Sequence, residues 1–224
     1  MARIARVVAP KHPHHVTQRG VRSLPIFRND GDREAYLQFL REESERFGVE
    51  VLAWCLMTNH VHLILVPSDS GSLAKAVGLA HKRYTRMLNF AEGVRGFLFQ
   101  GRFGSCVLSE GHLLAAVRYV ERNPVRAGMA ERAWEYPWSS AGFHVGERAG
   151  DALARDRSLW GLLDGSRGYL EEEDGTKEVD WLRQATRTGR PVGDGRFLGQ
   201  LRRVTGRDLR KRPAGRPRGS QKRK

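Results

Sequence analysis

The chain has 224 residues, 40% hydrophobic and 29% charged, with a formal charge of +14, which suits one good core with an extension or two small domains. No apolar run approaches the roughly 20 residues of a bilayer span. The opening "MARIARVVAPKHPHHV" also lacks a secretory apolar stretch, so no bilayer span and no membrane partner are expected, and a cytoplasmic location is. Cys55 and Cys106 form no CxxC pair, which argues against a zinc ribbon or a disulfide scaffold.

"HHVTQRG" alternates and ends at Gly20, so it reads as a first strand over 14–19. Residues 32–47 place Tyr36, Leu37, Leu40 and Phe47 at helical spacing, with Gly48 as the stop. "VEVLAWCLM" (49–57) and "HVHLILVP" (60–67) form two strands joined at Thr58 and Asn59, the signature of a hairpin. A second helix fits 72–90, with Leu73, Val77, Ala80, Tyr84 and Leu88 on one stripe. A fourth strand falls near 103–108, and Ser109 caps a third helix that Pro124 stops. This order predicts an α+β fold: a ferredoxin-like antiparallel sheet with helices on one face.

Beyond "YPWSS" and Gly146 the pattern weakens. Net charge is +6 over 1–146, −5 over 147–182 and +13 over 183–224. The expected organisation is a folded domain over 1–146, an acidic helical linker over 147–182, and a basic DNA-binding tail over 183–224. The tail holds one short helix near 194–205 and then a Gly/Pro/basic end expected to be disordered without a ligand. Concentrated positive charge favours a polyanionic partner, because each neutralised phosphate releases counterions.

Within the third strand His60 and His62 point to one side, roughly 6.6 Å apart along the chain, while Val61, Leu63 and Leu65 face the core. Two imidazoles on a rigid sheet suit a divalent metal, although an HxH pair on a strand is more often a pair of satisfied core or surface histidines. On the third helix Tyr119 and Asn123 are four apart and lie off the apolar stripe of Leu113, Val117 and Val120. That phenol could serve as a nucleophile while the amide oxygen of Asn123 reaches a metal; a lone tyrosine is more often a core edge.

"HHVTQRG", "WCLMTNHVHLILVP", "GRF" and "VRYVERNPVRAGM" followed by "YPWSS" together resemble the single-tyrosine HUH transposases, in particular the REP-associated tyrosine transposases. The resemblance covers about residues 10–146. It implies that His60 and His62 are the metal-binding pair, that Tyr119 is the nucleophile, and that Asn123 is the third ligand. It further implies Mg²⁺ or Mn²⁺ as cofactor, single-stranded or hairpin DNA as substrate, and cleavage through a 5′-phosphotyrosine that lets strands be rejoined. Relatives act as monomers or as homodimers.

Arg19, Arg22, Lys82, Arg83, Arg86, Arg102, Arg118, Arg122 and Arg126 are the basic candidates for DNA contact around these elements. Arg216 and Arg218, in the tail sequence "GRPRG", are similar to a minor-groove insert and offer contact with duplex DNA. Two other functions fit the same residues: a non-catalytic DNA-binding regulator that retains the transposase fold, and a metal-dependent hydrolase that never links itself to DNA.

Overall fold

The alternating strand at the start of the chain becomes one of the two inner strands of a four-stranded antiparallel sheet in the computed structural model, which describes residues 4–155, 166–172 and 175–209. The strands are β1 (His14–Arg19), β2 (Val49–Leu56), β3 (His60–Pro67) and β4 (Gly104–Val107), in the order β2-β3-β1-β4. With α1 (Asp30–Arg46) between β1 and β2 and α2 (Ser72–Ala91) between β3 and β4, this is the expected ferredoxin-like arrangement. Asn29 caps α1 by accepting the amide of Asp32 at 2.9 Å. Gly48 ends the turn after α1 at φ 61°, where a Cβ would also stand 2.5 Å from the Ser68 hydroxyl.

The period of two in β3 sorts its side chains. Val61, Leu63 and Leu65 are fully buried among Tyr36, Leu40, Leu73, Val77 and Tyr84 of α1 and α2. Each such side chain contributes roughly 1.5–3 kcal/mol by leaving water. The opposite face carries His60 and His62, and register places Arg19 across from His60 and Thr17 across from His62. Helices meet this second face too. These are α3 (Leu113–Glu121), its continuation α4 (Asn123–Arg126), α5 (Ala141–His144), α6 (Ser166–Glu171) and α7 (Thr176–Thr188). Ile64, Cys106, Val117, Val120 and Leu182 pack together there. α8 (Gly195–Thr205) buries Phe197 and Leu201 against Val7, Ala9 and Val107.

Several expectations shift. The Ser109 hydroxyl is hydrogen-bonded to His112 Nδ1 at 2.7 Å and makes no helix cap; the first turn is 3-10 and α3 begins at Leu113. Pro124 does not end the helical path, because its missing N–H costs nothing in the first turn of α4, which resumes after a break at Arg122. The expected boundary between 182 and 183 lies inside α7, which packs on β1 and β4. Both cysteines are free and buried. Among the described residues no helix is long and apolar enough to cross a membrane. Arg216 and Arg218, with the rest of the tail after 209, lie outside the described residues.

Candidate active site

Tyr119 is carried to the sheet by an anchor at the far end of α3. Glu121 is fully buried, and its carboxylate accepts from the Ser140 hydroxyl at 2.6 Å and from the His144 ring at 2.5 Å. The Ser140 oxygen in turn accepts the Trp54 amide at 3.0 Å. The "YPWSS" segment thus runs along β2 and holds α3 against it. The Tyr119 ring meets those of His62 and His15 edge-on, at centroid distances of 5.6 and 5.8 Å. Arg126 folds back so that its guanidinium covers the Tyr119 ring at 4.2 Å and donates to the Tyr119 carbonyl at 2.5 Å.

His60, His62, Tyr119, Asn123, Arg19, Arg102 and Arg126 all line one cleft of about 910 Å³. Arg183 and Arg187 of α7 complete its basic rim, and among the described residues no carboxylate lines it. Such a cleft attracts and orients an anion.

The hydrogen bonds assign the tautomers of the histidine pair. The Asn59 amide nitrogen donates to the Ser23 carbonyl at 3.0 Å, which turns its oxygen towards His60 Nδ1 at 2.6 Å. His60 therefore carries its proton on Nδ1 and leaves Nε2 bare. For His62 the chain is longer. The Thr186 hydroxyl donates to the Leu182 carbonyl at 2.9 Å, so its oxygen accepts from His15 Nδ1 at 2.7 Å. His15 Nε2 is then an acceptor for His62 Nδ1–H at 2.8 Å, and His62 Nε2 is bare as well. Burial holds the His60 imidazolium down to about 4, with help from Arg19, and the His15 imidazolium down to about 3, with help from Arg126. Burial also lowers His62 well below its ordinary value.

Both rings are neutral near pH 7, with an open Nε2 and a second partner fixing each orientation, which is what a metal-ligating histidine requires. Their centroids lie 5.0 Å apart, and Asn123 shares the cleft. Among the described residues no group of three or more His, Cys, Asp or Glu forms a metal site. Two imidazoles and one amide thus fit a weakly held hard cation whose remaining positions go to phosphate and water.

Three basic candidates lie elsewhere. Arg83 pairs with Glu42 at 2.6 Å and Glu43 at 2.8 Å and covers Phe39. Arg118 is buried on Glu172 and Tyr169, and Arg122 is buried with its guanidinium on the Leu170 carbonyl. Arg118 and Arg122 are thereby turned into the packing of α3 on α6, and Arg83 stays on the surface of α2, so none of the three lines the cleft. Arg22 sits in an exposed turn outside the cleft, while Lys82 and Arg86 line a neighbouring groove. His15 and the α7 residues Arg183, Thr186 and Arg187 were not foreseen. For His15 the signal was present, since His15, Thr17 and Arg19 alternate onto the histidine face; for α7 none was.

Residues 10–123 match the family model described as "Transposase IS200 like". Among solved structures the chain is similar to a REP-associated tyrosine transposase bound to a REP hairpin, at TM-score 0.52 and 18% identity. That alignment covers 70% of this chain and 96% of that one. It is also similar to a candidate transposase from Deinococcus radiodurans R1, at TM-score 0.38 and 16% identity, covering 57% of this chain and 97% of that one. No curated protein matches the chain.

Proposed function

The chain belongs to the IS200-like transposase family, and from that premise we propose that it cleaves and rejoins single-stranded DNA through a covalent bond to Tyr119. The observation that carries this reading is the meeting of Tyr119, His60, His62 and Asn123 in one basic cleft without carboxylates.

Arg19, Arg102 and Arg126 draw the DNA backbone into the cleft and hold one phosphodiester against the phenol. The Tyr119 oxygen attacks that phosphorus. A tyrosyl O–P bond forms, the P–O3′ bond breaks, and the phenolic proton is balanced by the one taken up on the departing 3′ oxygen. The 5′ phosphate stays on Tyr119, so the energy of the broken linkage is retained. A 3′-hydroxyl can attack it in reverse, returning the proton to the phenol and releasing the protein. His60, His62 and Asn123 would hold Mg²⁺ or Mn²⁺, which when bound polarises the phosphate and offsets the charge that develops on its oxygens.

The substrate is a single strand flanking a hairpin, as the hairpin-bound relative suggests. We place the reaction in the cytoplasm, assign the unit responsible to residues 1–146 together with α7, and expect the tail beyond 209 to add affinity for duplex DNA. A monomer suffices for one cleavage, since one chain supplies every group named.

The test is incubation with hairpin-bearing single strands in Mn²⁺ or Mg²⁺, followed by denaturing electrophoresis. The native chain should migrate joined to DNA and the Tyr119→Phe chain should not, while both bind the oligonucleotide. Binding without an adduct in the native chain would leave a regulator; nicking without an adduct would leave a hydrolase.

A further inference from the structure

The cleft does not end at Arg102. That residue also lines a groove of about 1220 Å³ between α2 and the 89–103 segment. The segment is held at several points. The Asn89 side chain donates to the Gly96 carbonyl at 3.0 Å, and Val21 donates to the Leu98 carbonyl at 2.9 Å. Gln100 donates to the Arg19 carbonyl at 2.8 Å, and Phe99 is buried in a stack on His81 at 4.3 Å. Between these anchors Phe90 and Phe97 stand 89% and 91% exposed. An isolated exposed aromatic is unremarkable in a folded protein. Here two flank a groove whose lining, among the described residues, holds Lys82, Arg86, Arg95 and Arg102 and no acidic side chain.

Rings standing free beside a row of cations, along a path continuous with a phosphate-binding cleft, match the needs of unpaired DNA. Its bases offer π-faces and its backbone offers evenly spaced charge. Resting on the strand-cleavage reading above, we propose that this groove holds the single-stranded flank of the substrate. Phe90 and Phe97 stack on its bases, and Lys82, Arg86 and Arg95 follow its phosphates away from Tyr119. The groove would read the presence of an unpaired strand rather than its sequence, because stacking is available to every base.

The experiment uses the full chain carrying Tyr119→Phe, so that binding is read without chemistry. The probe is a fluorescein-labelled oligothymidylate of about 20 nucleotides, longer than single-strand sites of this kind span. Fluorescence anisotropy should show the Phe90→Ala/Phe97→Ala variant binding roughly tenfold or more weakly at fixed salt, the loss expected of stacked bases, with an unchanged salt slope. Arg86→Ala should instead flatten the slope of log affinity against log salt by about 0.7. Both rings are exposed, so circular dichroism should report an intact fold. A double variant that binds like its parent would overturn the proposal. So would a parent that sediments as a dimer and a variant that sediments as a monomer with unchanged affinity, since the groove would then seat a second copy. Failure here leaves adduct formation by the native chain unaffected, and a native chain that forms no adduct leaves this binding result standing.

Discussion

The two faces of the sheet carry the same pair of residue types and use them in opposite ways. On the α1/α2 face the Tyr36 hydroxyl bonds to His81 Nε2 at 3.0 Å, and the Tyr84 hydroxyl donates to the Ile26 carbonyl at 2.6 Å. Burial pushes both phenols up and holds His81 down to about 3. On the other face no hydrogen bond ties up the Tyr119 hydroxyl among the described residues, and His60 and His62 keep Nε2 open. Neither tyrosine nor histidine is reactive by type. What separates a core from a site is which lone pairs and protons the fold leaves uncommitted.

The comparison breaks most sharply at Tyr119. Tyr119→Phe should remove covalent capture by several orders of magnitude and leave thermal stability within the scatter of surface variants, since no hydrogen bond is lost. A smaller effect belongs to His15, which acts by fixing His62. His15→Phe removes the acceptor for His62 Nδ1–H and should weaken Mn²⁺ affinity about 10–100-fold, measured by electron paramagnetic resonance of free Mn²⁺. An unchanged affinity would free His62 from the relay.

The closed face should answer in stability alone. Tyr84→Phe leaves the Ile26 carbonyl without its donor and should cost about 1–3 kcal/mol in chemical denaturation while adduct formation persists. The same face also answers in the pH dependence of stability. His81 and His14 sit at about 3 and 4 in the fold against 6.5 when unfolded, both because of burial. Between those values the unfolded chain binds the extra protons. The stability these residues contribute is therefore complete above about pH 6.5 and falls as pH drops towards 4, by on the order of 1.4 kcal/mol per unit for each ring. A melting temperature flat from pH 7 to 5 would contradict this.

Much of this contrast is legible in the sequence because it is local. The period of two in "HVHLILVP" separates His60 and His62 from the core positions, and helical spacing puts Tyr84 on an apolar stripe while leaving Tyr119 and Asn123 off one. What is not legible depends on distance along the chain. His15 and Thr186 are 171 residues apart, and nothing in "WLRQATRTG" marks the threonine as the end of a relay from His62. The arginines fail for a related reason. Arg118, Arg122 and Arg126 occupy one short stretch and look alike, yet the first two are spent on Glu172 and the Leu170 carbonyl, and the third turns onto Tyr119. Which cation reaches the cleft is decided by α6 docking on α3, a contact with no periodic signature.

The claim that open lone pairs mark the reactive face is tested most directly by mapping the residue that becomes linked to DNA. Native protein would be incubated with a hairpin-bearing single strand and Mn²⁺, trimmed with nuclease and trypsin, and sequenced by mass spectrometry. The account predicts the nucleotide remnant on Tyr119 alone. A remnant on Tyr36, Tyr84 or any other side chain, or no remnant on a protein that still cuts the strand, would contradict it.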